Sequence, residues 1–202
     1  MAGVKESPRQ RMISMMYLVL TALLALNVSK DVINAFMVVN DNIIESNENL
    51  SQKLNDIYTN FEKNYQINQI KVKPYWDKAQ EAKKLSDDMI QYVENVKHEL
   101  ISLTEKISID SARNISVKDI KKKDNYLVPT RYFMGSSTDG SDGESKKLRD
   151  KIDAYRNQMN NLVDPKYLNQ VSLGLDTKGP YHNADGKEEN WETHFFYNTI
   201  VA

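Results

Sequence analysis

An uncharged run of seventeen residues near the start of the chain constrains its fold more than any other feature. Residues 12–28 read MISMMYLVLTALLALNV, with Lys5, Arg9 and Arg11 just before them and Lys30 just after. At about 1.5 Å per residue, a helix of this length spans about 25 Å, close to the thickness of the hydrocarbon core of a bilayer. We therefore predict a transmembrane helix over residues 12–30.

The flanking charges predict the orientation of this segment. Three basic residues and one acid, Glu6, precede it, and such an excess of positive charge stays on the cytoplasmic side. Residues 1–11 are then a short cytoplasmic N-terminus, and residues 31–202 are exported. A cleaved signal peptide is the alternative, but the spacing of Ala22 and Ala25 does not fit a cleavage site, and the residue before the other possible cut is Asn27. The sequence therefore favours an uncleaved anchor.

The composition of the rest of the chain is that of a water-exposed domain. Charged residues make up 27% of the sequence, the formal net charge is -1, and there is no cysteine. This balance offers no basic field to attract nucleic acid, and no disulfide stabilises the fold. A new apolar segment begins at Phe195 and stops in mid-pattern at Ala202, so we expect the natural chain to continue.

Apolar residues at helical spacing predict an all-α fold: one N-terminal transmembrane helix continuing into a helical bundle with long irregular loops. The predicted helices cover residues 31–66, about 34 residues starting at Pro74, and residues 144–163. Residues 110–143 and 173–190 are predicted to be irregular. A short connection between the first two long helices favours an antiparallel hairpin. The predicted core positions are Leu54, Phe61, Leu85, Val93 and Leu100.

One apolar stripe continues from the membrane segment into the exported helix. Inside the bilayer it consists of small residues that permit close helix approach, namely Ala22, Ala25 and Ser29. Outside, large residues recur every seven positions, starting with Phe36, which is typical of a left-handed supercoil. Beyond Ile43 two interpretations stay open: the stripe packs on the second helix of the same chain, or it pairs with a second copy. The polar positions that would then set the register are Asn40 and Asn47.

Arg9 lies on the helix face opposite the small residues, whereas Arg11 points another way. An arginine at this depth usually anchors a helix by reaching the membrane surface. The alternative is that Arg9 provides the counter-charge for a carboxylate on another membrane protein.

The residues 8–32, PRQRMISMMYLVLTALLALNVSKDV, closely resemble the opening of the GldM/PorM family, the single-pass inner-membrane subunit of the Bacteroidetes type IX secretion and gliding motor. The later segments VPTRYFMG (128–135) and LRDKIDAYR (148–156) are similar to the first periplasmic domain of that family, as is Asn190-Trp191. The resemblance covers essentially the whole chain but only the N-terminal part of the family's length. It implies that several β-rich periplasmic domains follow.

The resemblance also implies a function and partners. Two copies of the chain would run through a ring of a polytopic inner-membrane subunit, GldL/PorL, and proton flow would drive a motion of the periplasmic domains. Energy would reach outer-membrane secretion and gliding components through the missing C-terminal domains. Arg9 matches the family arginine that pairs with a glutamate of the ring, and Tyr17 matches a tyrosine that faces the same partner.

The predicted membrane segment lacks a group that could carry protons near neutral pH, since its polar residues are only Ser14, Tyr17, Thr21 and Asn27. Any cycling carboxylate must therefore belong to a partner. No catalytic constellation, metal-ligand spacing or cofactor motif is recognised, so we predict a protein that is not an enzyme. A different class, a signal-anchored sensor or tethering coiled coil, remains as an alternative function.

One segment comes close to a metal-binding motif. Asn183-x-Asp185-Gly186 resembles the later part of a calcium-binding EF-hand loop, but the first ligand position would be Tyr181. The sequence favours a plain turn here.

Overall fold

The computed structural model describes residues 7–171 and 173–201, and for residues 23–31 it describes the backbone alone. It is mostly helical, as predicted. The described elements are α1 (Pro8–Ile67), α2 (Gln69–Glu105), α3 (Ile109–Asn114), α4 (Leu127–Met134), α5 (Glu144–Leu162), β1 (Tyr181–His182), β2 (Glu188–Glu189) and α6 (Trp191–Phe196), with 3₁₀ turns at Val117–Asp119 and Pro165–Gln170. The chain divides into two units, one ending at Glu48 and one spanning Asn49–Val201.

Helix α1 is 60 residues long and joins the two predicted helices into one. It begins four residues before the predicted membrane segment because Ser7 and Pro8 form a start signal. The Ser7 hydroxyl accepts a hydrogen bond from the backbone N–H of Gln10 at 3.3 Å, and proline is favoured in the first helical position.

The described residues contain no helix that combines enough length with enough apolar character to cross a bilayer, so the membrane helix predicted over residues 12–30 is not found among them. Of the residues predicted to pack in that segment, Ala25 and Ser29 lie outside the described side chains.

Helix α2 starts at Gln69, so the predicted start at Pro74 is wrong by five residues. Asn68 alone connects α1 to α2, and its side chain accepts a hydrogen bond from the N–H of Lys71 at 3.2 Å, which caps the helix. Pro74 then lies inside the helix, where it cannot donate to the carbonyl of Ile70. Ile70 is 93% exposed, so water can satisfy that carbonyl.

The predicted antiparallel arrangement of the long helices is confirmed by contacts between their side chains. The ring of Trp76 stacks on Tyr65 at 5.6 Å and meets the edge of Phe61 at 5.4 Å. One turn further from the connection, the Tyr58 hydroxyl donates to the carbonyl of Ala79 at 2.8 Å. Aromatic residues of both helices therefore contribute to this interface.

The core of the second unit lies at the C-terminal half of α2, which packs on α3, α4 and α5. Val96 and Leu100 contact Phe133 of α4, while Ile101 contacts Ala112 of α3. Leu100 is confirmed as a core position, and Phe61 and Leu85 are half-buried. The prediction that Leu54 and Val93 are core positions is wrong, since their side chains are 52% and 45% exposed. The reason is that α2 packs mainly on α3, α4 and α5, whereas its described contacts with α1 are made by Tyr58, Phe61 and Tyr65 and not by Leu54.

Both stretches predicted to be irregular contain short regular elements, so those predictions are wrong in part. Residues 110–143 include most of α3 and all of α4, which are six and eight residues long. Residues 173–190 contain the two-residue antiparallel pair of β1 and β2. Elements this short show no hydrophobic period and depend on local caps, such as Ser108 for α3. The helix predicted over 144–163 is confirmed to within one residue as α5.

We expect Leu100→Ala to lower the free energy of unfolding by about 2–5 kcal/mol, because it leaves a cavity between α2 and α4 that the surroundings fill only partly. Urea unfolding followed by tryptophan fluorescence measures this. The matched control is Leu54→Ala, which removes the same atoms from an exposed site and should cost about 0.5 kcal/mol or less. Equal losses in the two variants would contradict the packing described.

Candidate assembly surfaces

The first turn of α1 carries two positive charges at an unfavourable place. Arg9 and Arg11 are exposed, and the N-terminal end of a helix already carries partial positive charge from the helix dipole. Acidic groups are favoured at this end of a helix. A carboxylate from another protein would therefore be stabilised beside Arg9 in two ways, by the guanidinium and by the positive end of the helix.

The other residues predicted to contact partners in this segment are exposed in the described part of the chain. Arg9, Ile13 and Tyr17 follow at intervals of four residues, which places them on one side of α1. Ala22 lies roughly 140° away from Arg9 at 100° per residue. The segment exposes large apolar side chains in all directions, namely Met12, Ile13, Met15, Met16, Leu18, Val19 and Leu20.

The apolar stripe of α1 stays uncovered beyond this segment. Phe36, the residue predicted to continue the self-association stripe, is exposed, and so are Ile43, Leu50 and Ile57. For the stripe beyond Ile43, the interpretation that it packs on α2 of the same chain is therefore wrong, since Leu50 and Ile57 are exposed. Tyr58, Phe61 and Tyr65 face α2 instead.

Sequence reasoning missed a buried ion pair between α5 and α6. Glu192 is 1% exposed, and its Oε2 lies 2.9 Å from Nη1 of Arg149. Its other oxygen, Oε1, is buried and has no hydrogen-bond partner among the described residues. Gly140 lies so close to the aliphatic part of this side chain that a Cβ there would lie 2.8 Å from the Cβ of Glu192. A pair 43 positions apart leaves no signal in the sequence.

Two tyrosines tie α2 to its neighbours through carboxylates. Tyr92 donates to Glu144 of α5 and Tyr132 of α4 donates to Glu99, both at 2.7 Å. Burial, followed by these hydrogen bonds, raises the pKa of both Tyr92 and Tyr132. The phenols therefore stay protonated at neutral pH and act as structural donors.

The loop between α4 and α5 is organised around one carboxylate. Asp142 accepts from the Ser137 hydroxyl at 2.6 Å and from the backbone N–H groups of Ser136 and Ser137. These bonds, the hydroxyl first, lower the pKa of Asp142 to about 2. The conformation of this loop is therefore stabilised by hydrogen bonds within the loop itself.

The segment that resembled a calcium loop is the turn between β1 and β2. The side-chain oxygen of Asn183 accepts from the N–H groups of Asp185 and Lys187 at 3.1 and 2.9 Å, so it is used within the turn. Across the described residues no group of three or more acidic or histidine side chains is placed to hold a metal ion.

The described chain is a helical domain that follows a long helix with an exposed apolar face, and contiguous exposed apolar faces are typical of proteins that bind other proteins or membranes. A family model described as the GldM N-terminal domain matches residues 31–202. The chain belongs to the GldM family, which confirms the resemblance in the sequence, although a comparison with curated proteins gave no match. Membership associates the chain with gliding motility and type IX secretion as a membrane-associated component.

Proposed function

We propose that this chain is the single-pass subunit of a motor driven by the proton-motive force, which transmits mechanical energy into the periplasm for type IX secretion and gliding. In this proposal residues 1–11 are cytoplasmic, residues 12–30 lie in the inner membrane, and the rest is periplasmic. The chain works as a homodimer within a ring of a polytopic GldL/PorL-like subunit. It is not an enzyme and needs no cofactor.

The observation that carries the proposal is the uncovered apolar surface of α1. From Met12 to Leu20 this surface surrounds the helix, which suits an environment of lipid and other membrane helices. From Phe36 onward the repeat of seven residues favours one helical partner of the same kind. A water-exposed helix with this surface would otherwise be a liability for aggregation.

The energetics favour a dimer that is also held together in the membrane. Fully burying a large apolar side chain contributes about 1.5–3 kcal/mol. Phe36, Ile43, Leu50 and Ile57 are each about half exposed already, so two copies would gain roughly 6–12 kcal/mol. Association costs about 4–15 kcal/mol. The stripe alone is therefore marginal, and a second contact at Ala22, Ala25 and Ser29 would make the pair stable.

The ring partner must supply the proton-carrying group. The residues 12–28 contain no acid or histidine, so a proton cannot be passed through this chain by a group that titrates near neutral pH. Arg9 and Tyr17 lie on one side of α1, where they can contact a neighbouring subunit while the Ala22 side faces the second copy. A permanently charged guanidinium can hold a partner carboxylate ionised until a proton displaces it.

We expect single cysteines at Ile43, Leu50 and Ile57 to form disulfide-linked dimers in membranes under mild oxidation. Because residues 1–202 contain no cysteine, each product formed by this chain reports one position. The matched control is a cysteine at Gln52, which lies roughly 160° from Leu50 around the helix and should give much less dimer. Equal yields at all four positions, or no dimer at any, would contradict the proposed pairing. Ala22→Phe should lower the yield at Ile43, because a large side chain separates the helices.

A further inference from the structure

A groove of about 830 Å³ lies between α4 and the segment that follows α6. We call it the α4–α6 groove. Buried Met134 contributes to its lining, and the aromatic and aliphatic side chains of Tyr126, Leu127 and Tyr197 border it with exposures of 50%, 68% and 59%. Three large apolar side chains around one depression form a surface that water solvates poorly.

The residue types of the groove are those of protein-binding surfaces. Tyrosine, methionine and arginine are enriched at the centres of interfaces, and lysine and the acids are depleted there. The groove contains the first three and, among its described lining residues, none of the others. The hydroxyls of Thr138 and Thr193 line it as well and can bond to a peptide backbone.

Arg131 is the only charged residue among the described residues that line the groove. The other three arginines of the second unit, Arg113, Arg149 and Arg156, each lie within 3.5 Å of a carboxylate oxygen. Arg131 is exposed and makes no ion pair within the described residues. Its guanidinium can therefore accept a carboxylate from outside in a two-pronged hydrogen bond.

We propose that the α4–α6 groove binds a peptide segment of a partner protein, in which an acidic residue flanked by apolar residues pairs with Arg131. The apolar side chains of that segment lie between Tyr126, Leu127 and Tyr197, above Met134. This proposal does not depend on the α1 surfaces of the proposed motor function, because none of the described residues that line the groove belongs to α1.

Two other occupants fit the groove less well. Anionic membrane surfaces bind clusters of several lysines or arginines, whereas this groove has a single arginine. A second copy that used the same groove symmetrically would bring two Arg131 side chains together without a counter-charge. Charge complementarity therefore selects an acidic, apolar peptide.

The test is selection of peptides from a phage-displayed library of random dodecapeptides on the full chain in detergent. We expect enrichment of sequences with Asp or Glu next to Leu, Ile or Phe. Arg131→Glu should weaken these peptides by about tenfold or more and should itself select peptides with Lys or Arg. The control Lys187→Glu makes the same change in net charge in the turn between β1 and β2 and should select the acidic peptides unchanged.

A second variant separates apolar from charged recognition. Tyr197→Ala should weaken the selected peptides while keeping their acidic preference, and unchanged thermal unfolding temperatures would show that both variants fold. The proposal is overturned if no sequence is enriched or if Arg131→Glu selects the same peptides as the natural chain. It is also overturned if Arg131→Glu abolishes binding to vesicles of anionic lipid or a self-association seen with the natural chain, since the groove would then serve those partners.

Discussion

Replacing Arg149 by alanine should lower the free energy of unfolding by about 3–5 kcal/mol, because it leaves a charged carboxylate buried without a partner. Glu192 is almost completely buried, and its Oε1 already lacks a hydrogen bond, so no other group is in place to compensate the charge. Urea unfolding monitored by the fluorescence of Trp191, which is next to Glu192 and buried, measures the loss.

Removing the other member of the pair is the informative comparison. Glu192→Ala should cost less than Arg149→Ala, because Arg149 is partly exposed and its charge can turn to water. Replacing both residues by methionine should recover most of the stability, since apolar side chains of similar volume do not require a counter-charge. A loss below about 1 kcal/mol in Arg149→Ala would show that the carboxylate is solvated and would refute the assignment.

The second large effect concerns Arg9. If the chain works as proposed, Arg9→Ala should abolish co-purification of the proposed polytopic ring subunit and stop secretion and gliding. Removing one member of a desolvated charge pair costs about 3–5 kcal/mol, which corresponds to a loss of affinity of roughly two to four orders of magnitude. Arg9→Lys keeps the charge but loses the two-pronged geometry, so it should retain part of the function.

Arg11→Ala is the internal control for this prediction. Arg11 lies two positions further along the same helical turn and has the same charge and exposure, but it points to another side of α1. It should therefore affect secretion and gliding much less. If cells with Arg9→Ala behave normally while cells with Arg11→Ala do not, Arg9 serves only to orient the segment in the membrane.

The long helices could be predicted from the sequence because periodicity accumulates over many turns. α5 was predicted to within one residue, and the continuity of α1 followed from one stripe. The start of α2 was not predicted, because Pro74 is a strong signal for a helix start and the actual cap, Asn68, is a single polar residue in a polar stretch. The two possible start signals of α2, Asn68 and Pro74, compete. The helix starts after Asn68, whose side chain caps a backbone N–H group of the first turn.

Which element packs on each apolar helix face could not be predicted from periodicity. The spacing of Leu54 and Val93 is that of core residues, but spacing indicates only that a face is apolar and not which element covers it. In the second unit, α2 is covered by elements that follow it by up to a hundred positions. The ion pair of Arg149 and Glu192 could not be predicted either, because contact between residues so distant in sequence depends on the whole fold.

The single-residue connection at Asn68 has a consequence for how the length of this chain can vary. One inserted residue there would rotate every side chain of α2, Trp76 included, by about 100° relative to Phe61 and Tyr65 of α1, and two would rotate them by about 200°. The turn between β1 and β2 has no such constraint, since Gly186 has open space around its Cα. Fusion tags, labels and natural insertions therefore belong at the β1–β2 turn, whereas the number of residues between the two long helices is fixed by their shared interface.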